Sequence, residues 1–233
     1  MTKVRVKICC ISSIEEAKMA IEYGASALGL VGKMPSGPGV IDDDLIARIA
    51  RTVPPAVSTF LLTSETKPED IIAHYKKVYT STIQLVDALE GRDYQTLRNE
   101  LPGVKLVQVI HVLDENSVAE AIEISESVDA ILLDSGNPNL NIKVLGGTGR
   151  IHNWQLSRQI REQVKVPVFL EGGLNSQNVR EAIETVQPFG IDICSGVRSV
   201  ANSTKRNWKH FLRYFIIFKF KGKTKYYRNK NRT

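Results

Sequence analysis

The sequence predicts a (β/α)8 TIM barrel in a single domain. Three observations predict it: short β-rich apolar runs alternate with amphipathic stretches, the runs recur at a near-constant interval, and there are eight of them. The runs begin near Val4, Ala27, Val57, Thr82, Lys105, Ala130, Pro167 and Gly190, with seven helical stretches between them and one after the last. An open doubly wound sheet is the alternative that the same alternation allows.

The elements justify themselves in order. In the first run Val4, Val6 and Ile8 share one face and Arg5, Lys7 and Cys9 the other, so the apolar set should face the helices and Cys9 the barrel mouth, with Lys7 beneath it. Ser12 or Ser13 caps the first helix, and Glu15 and Glu16 suit its positive end. Asp42-Asp43-Asp44 opens the second in the same way, and Asn175-Ser176-Gln177-Asn178 marks a later start. After the eighth run Trp208, Phe211, Leu212, Phe215 and Ile216 keep the spacing of a buried helical stripe. The barrel is therefore expected over 1–218, followed by a flexible basic tail, 219–233.

One interval is longer than the rest. Between the sixth and seventh runs the chain inserts Gly136-Asn137-Pro138-Asn139-Leu140-Asn141-Ile142-Lys143-Val144-Leu145-Gly146-Gly147-Thr148-Gly149, which reads as a lid, because extra loop length in a compact domain goes with function.

Composition narrows the classes. At 233 residues with 42% hydrophobic and 24% charged residues the chain is an ordinary globular protein. The net charge of +6 is unevenly spread: residues 204–233 hold eleven Lys or Arg and no acid, leaving the body at −5 against a tail of +11. The body does not bind a polyanion through net charge, so nucleic acid is disfavoured as a partner except through the tail. The amino terminus lacks a secretory pattern, the Phe211 to Phe220 stretch is too short and too charged to span a membrane, and three cysteines suit reduced thiols. The expectation is a cytoplasmic protein with no membrane partner, as a monomer or homodimer.

Chemistry in this fold sits at the carboxyl ends of the strands and in the loops that follow. Cys9 ends the first run, where the Lys7 ammonium favours a thiolate, and Asp134 ends the sixth. A thiol base and a carboxylic acid across a barrel mouth suit proton transfer at two points of one substrate. Gly146, Gly147, Thr148 and Gly149, then Gly172 and Gly173, then Ser195 and Gly196 form three glycine loops, two of them after the seventh and eighth runs, where this fold often holds a phosphate. His74, His111, His152 and His210 show no metal-ligand spacing, so no metal is expected.

Lys7-Ile8-Cys9, Leu132-Leu133-Asp134-Ser135, Gly146-Gly147-Thr148-Gly149, Gly172-Gly173-Leu174-Asn175-Ser176-Gln177-Asn178-Val179 and Gly190-Ile191-Asp192-Ile193-Cys194-Ser195-Gly196-Val197 together resemble the phosphoribosylanthranilate isomerase family over about residues 3 to 199. The resemblance implies a barrel enzyme of tryptophan biosynthesis, without metal or organic cofactor, acting on a small phosphorylated sugar, N-(5-phosphoribosyl)anthranilate. It implies Asp134 as the acid that opens the ribose ring, Cys9 as the base at C2, the glycine loops as the phosphate site and Asp192 as a substrate contact. Lys7 and Gln84 complete the expected substrate contacts.

The chain departs from the family on one side of the substrate. Where the family typically has Ser-Pro-Arg after the second strand, this chain reads Ser36-Gly37-Pro38-Gly39-Val40-Ile41, and Gly39 stands at the arginine position. Gln-Leu-His-Gly becomes Gln84-Leu85-Val86-Asp87, the glycine after the cysteine is Cys10, and Glu171 precedes the phosphate glycines. Losing a charged hydrogen bond to a carboxylate costs about 1.5–3 kcal/mol unless another cation replaces it, and Lys33 is the nearest candidate in sequence. Three functions follow: a divergent family member, an isomerase of another phosphosugar amine, or an idle barrel that binds RNA or a partner through its basic tail.

Overall fold

A computed structural model describes residues 4–140, 143, 145 and 149–194. The expected final helix, the basic tail, and Gly146, Gly147, Thr148, Ser195 and Gly196 of the glycine loops lie outside the described residues.

Eight parallel strands close into a barrel in sequence order: β1 (Arg5–Ile8), β2 (Ala27–Val31), β3 (Ser58–Thr63), β4 (Thr82–Leu85), β5 (Lys105–His111), β6 (Ala130–Asp134), β7 (Val168–Leu170) and β8 (Gly190–Ile193). Each begins within one residue of the start read from the sequence. Seven helices fill the crossovers: α1 (Ile14–Glu22), α2 (Asp43–Thr52), α3 (Pro68–Val78), α4 (Tyr94–Glu100), α5 (Asn116–Ser125), α6 (Trp154–Gln163) and α7 (Val179–Val186). The barrel ends the competition with an open sheet, because β1 pairs with β8.

Side-chain alternation along each strand divides the core in two. Val6, Ile8, Leu28, Leu30, Leu61, Ile83, Ile110, Leu133, Leu170 and Ile191 face outward and pack beneath the helices. Cys9, Ala27, Val31, Phe60, Leu62, Val86, Val107, Val109, Leu132 and Phe169 face inward and fill the barrel. Arg5, inward by parity but at the foot of the barrel, stacks over Phe189 at 4.1 Å.

The helix starts obey local chemistry. Ser13 caps α1 by accepting from the Glu16 amide at 3.0 Å, and the Glu16 carboxylate turns back to the Ser12 amide and hydroxyl. Asp42 caps α2 by accepting from the Leu45 amide at 2.7 Å. The Asn175 to Asn178 segment is a turn that precedes α7: Asn175 Oδ1 accepts from the Gln177 and Asn178 amides, while both side-chain amides donate to the Gly173 carbonyl. Those two asparagines therefore anchor the glycine loop after β7.

The closing seam carries the one fully buried ion pair among the described residues. The β1–β8 register sets Lys7 beside Asp192, both inward, and the Lys7 ammonium pairs with Asp192 Oδ2. Gly29 on β2 makes room for this, since a Cβ there would lie 3.1 Å from Lys7 Nζ and 3.0 Å from Cys9 Sγ. Lys7→Met is expected to cost about 3–5 kcal/mol in urea unfolding, because it strands a buried carboxylate, and adding Asp192→Leu should recover much of that loss. A single variant as stable as wild type would show that the pair does not hold the seam.

Candidate active site

Inward parity carries through the carboxyl ends of the strands and gathers the site there. Cys9 follows β1 and is 2% exposed, with Lys7 beneath it as the alternation requires. Asp134 closes β6 at 1% exposure, and His111 stands opposite it in register at the end of β5. Glu171 follows β7, whose register pairs Leu170 with Leu133 and so sets Glu171 beside Asp134; its amide donates to the Leu133 carbonyl at 2.8 Å.

These groups perturb one another. Burial pushes the Asp134 carboxyl up to about 6; the Ser135 and Gly136 amides and the Ser135 hydroxyl oppose the shift, and Asp192 reinforces it. Burial, with Asp192, Asp134 and Cys9, pushes Glu171 well above the usual carboxylate range. Burial works against the charge of Lys7, but Asp192, Cys9 and Glu171 overcome it and hold the ammonium protonated. The site is thus a cluster of acids around one fixed cation.

The donor atoms of Cys9, Glu171 and Asp192 lie within 4.8 Å of one another, the only such His, Cys, Asp or Glu group among the described residues. The Lys7 ammonium already pairs with this group. The histidines stand apart: His74 lies between Thr63 and Asp43, His111 donates to the Val86 carbonyl, and His152 bonds Ser157. Burial lowers the His111 pKa and brings His152 down to about 4, so both rings are neutral at pH 7.

Gln84 is buried on the inward face of β4, and its Oε1 has no hydrogen-bond partner among the described residues, as is true of Asp192 Oδ1. Both offer buried acceptors inside the barrel. Lys33 is exposed in the loop after β2, where its carbonyl accepts from the Ser64 hydroxyl. A second cation reaches that region from the inserted loop: Lys143 pairs with Asp87 after β4, and its carbonyl accepts from Ser36 Oγ at 2.6 Å. Sequence distance conceals this contact, since Lys143 and Ser36 are 107 residues apart.

The loops after β6 and β7 interlock through glycines. Gly172 and Gly173 have φ of +92° and +62°, and a Cβ on Gly173 would fall 2.8 Å from the Arg150 carbonyl and 2.9 Å from that of Gly149. Close backbone packing therefore requires glycine there, whatever the loop binds.

The departure at Gly39 has a steric cause. Cys10 occupies the left-handed region at φ +63°, and a Cβ on Gly39, itself at φ +82°, would lie 2.4 Å from Cys10 Cβ. Cys10 has taken the space in which a side chain at 39 would begin. Cys10 also contacts Cys194 Sγ at 2.8 Å and the Pro38 carbonyl at 3.5 Å. The hydrogen bonds with Cys194 and Cys9, with burial, push its thiol pKa up, which makes Cys10 inert as a base.

The match with known proteins agrees with this frame. A family model for N-(5'-phosphoribosyl)anthranilate (PRA) isomerase matches residues 6–203. The N-(5'-phosphoribosyl)anthranilate isomerase of Methanocella arvoryzae is 32% identical over 195 residues, covering 84% of this chain and 89% of that protein. The solved phosphoribosyl anthranilate isomerase of Thermotoga maritima is similar at a TM-score of 0.75 and 29% identity, covering 91% of this chain and 98% of that one. A phosphoribosyl anthranilate isomerase in complex with reduced 1-(o-carboxyphenylamino)-1-deoxyribulose 5-phosphate is similar at a TM-score of 0.72 and 27% identity, with coverage of 91% and 98%. The fold is thus that of a parallel-barrel isomerase. The chain belongs to the PRA isomerase family.

Two predictions follow from the geometry. Gly39→Ala should cost about 2 kcal/mol or more, and Cys10→Gly should offset it, with a coupling of about 1 kcal/mol or more in a double-mutant cycle; strict additivity would separate the two positions. Asp134, whose folded pKa is raised, contributes stability below its unfolded value near 3.8 that is lost as pH rises through about 6. Asp134→Asn should therefore be more stable than wild type at pH 8, by on the order of 2–3 kcal/mol, and show a much smaller gain at pH 4.5. Urea unfolding at the two pH values checks both the sign and the window.

Proposed function

We infer that this chain catalyses the Amadori rearrangement of N-(5-phosphoribosyl)anthranilate to 1-(2-carboxyphenylamino)-1-deoxyribulose 5-phosphate, a step of tryptophan biosynthesis, by general acid–base catalysis. One observation carries the reading of the residues: Cys9 and Asp134 are both buried, inward-facing and at the carboxyl ends of their strands, and Asp134 holds its proton to about pH 6. Asp134 protonates the ribose ring oxygen, the C1–O bond breaks, and the aldosylamine opens to a protonated Schiff base. Cys9, acting as the thiolate, then takes the C2 proton to give the enolamine, with the Lys7 ammonium beneath it. The steps balance with protons alone and require no cofactor.

The phosphate sits at the glycine loops, Gly146 to Gly149, Gly172 and Gly173, and Ser195 and Gly196. Of these, Gly149, Gly172 and Gly173 fall within the described residues, where their left-handed backbone turns the loops at the barrel mouth. Gln84 Oε1 and Asp192 Oδ1 supply acceptors to the sugar, the latter with its other oxygen held by Lys7. On the aglycone side Lys33, exposed in the loop that carries Gly39, is the cation that meets a carboxylate, while Lys143, docked on Ser36, already pairs with Asp87. The enzyme acts in the cytoplasm.

The steric exchange at Cys10 and Gly39 favours one second reading, an altered aglycone on the same phosphosugar amine chemistry. Turnover of freshly generated N-(5-phosphoribosyl)anthranilate, followed by loss of its fluorescence, separates the two. Cys9→Ala and Asp134→Ala should each lower turnover by ~10² or more while phosphate-ligand binding stays nearly intact. Near-normal turnover in either variant would defeat the roles, and an inactive but folded wild type would move the search to other aglycones.

A further inference from the structure

The mechanism above leaves one inward carboxyl unused. Glu171 stands next to Asp134 across the β6–β7 pairing, and its carboxyl oxygen lies within 4.8 Å of Cys9 Sγ. The groups that face it come from every neighbouring strand: Lys7 and Cys9 from β1, Asp192 from β8 and Asp134 from β6. His152, across the glycine turn, is neutral. Lys7 is already committed to Asp192, so no second cation among these groups neutralises Asp134 and Glu171 together.

We propose that Glu171 is a third catalytic group, sharing one proton with Asp134 and accepting the C2 hydroxyl proton when the enolamine becomes the ketose. This deepens the isomerase reading and rests on it. Two adjacent carboxyls with no cation of their own cannot both ionise, so the pair carries a single proton, as paired carboxyls in a shared site do. Burial raises both groups above the usual carboxylate range, which favours retention of that proton near neutrality.

The chemistry needs a group at this place. When Asp134 has given its proton to the ring oxygen and Cys9 has taken the C2 proton, the enolamine still has a proton on its C2 oxygen and lacks one on C1. The C2 hydroxyl is bonded to the carbon from which Cys9 takes the proton, so a carboxylate near Sγ lies within its reach. Glu171 takes the hydroxyl proton as the C2–O bond becomes a carbonyl, and the electron pair of the C1–C2 double bond takes the proton back from Cys9 at C1. Cys9 returns to the thiolate. The proton now on Glu171 passes to its neighbour Asp134, and every group regains its starting state with no net exchange with solvent.

Glu171→Gln is the test, run beside wild type and Glu171→Asp. The glutamine variant should lower kcat about 10-fold or more with KM changed by no more than about threefold, and aspartate should restore part of the rate. With substrate deuterated at C2, wild type should carry the deuterium to C1 of the product, whereas the slowed ketonisation of the glutamine variant should leave Cys9 time to exchange it with solvent and give product with hydrogen at C1. A slowed variant that carries the label to C1 as fully as wild type would reduce Glu171 to a packing residue and overturn the proposal. Carboxyl titration by carbon-13 NMR of the free protein supplies a readout independent of turnover: Asp134 and Glu171 should titrate in two coupled steps in wild type, and Asp134 in one step at lower pH in Glu171→Gln. Independent titration would overturn the shared proton. An inactive wild type that titrates in coupled steps would fail the isomerase reading and leave the carboxyl pair standing.

Discussion

The Lys7–Asp192 pair is the constraint on which the rest of the molecule turns. It joins the first strand to the last inside the barrel, where both side chains are shielded from water. Two charges buried together are expensive, and the pair contributes little net stability, but either charge alone would be far worse. The pair therefore acts as a register mark. Slipping β1 against β8 by one residue would turn Lys7 outward beneath the helices, bring Val6 and Ile8 inward and leave Asp192 stranded, so only one closure of the sheet is tolerable.

The same pair sets the electrostatics of the mouth. Lys7 lies directly below Cys9, and its charge is the one fixed positive charge that the described inward groups share. Gly29 leaves the space that lets ammonium and thiol sit so close. Asp192 makes the contact with this cation, and its charge reinforces burial in raising both Asp134 and Glu171. These two hold protons at a pH where an exposed carboxyl would not. Carboxylic acids persist near neutrality here chiefly through burial, with the neighbouring Asp192 charge adding to it.

Much of this was legible in the sequence for a simple reason. Strand alternation has a period of two, so the inward positions of Lys7 and Cys9 could be read from their run, Asp134 stood out at the end of an apolar run, and each strand start came within a residue of its place. The capping residues Ser13 and Asp42 were equally local. What escaped was non-local. Glu171 read as an oddity beside the phosphate glycines, because only the β6–β7 register makes it the neighbour of Asp134. Lys143 read as loop, because nothing in its own stretch points to Asp87 or Ser36.

The exchange at positions 10 and 39 shows why a motif can fail while its site endures. Read separately, a cysteine where the family has glycine and a glycine where it has arginine look like two losses. In space they are one substitution of volume: the Cys10 side chain fills the position where residue 39 would place its Cβ, and both residues adopt left-handed backbone to accommodate it. Cys10 is held there by Cys194 and the Pro38 carbonyl, while Cys9 and Asp134 stay buried at the carboxyl ends of their strands. Under the proposed function, recognition of the aglycone passes to other loops. The inserted loop after β6, docked onto Ser36 and Asp87 by Lys143, is the one that reaches that side of the barrel.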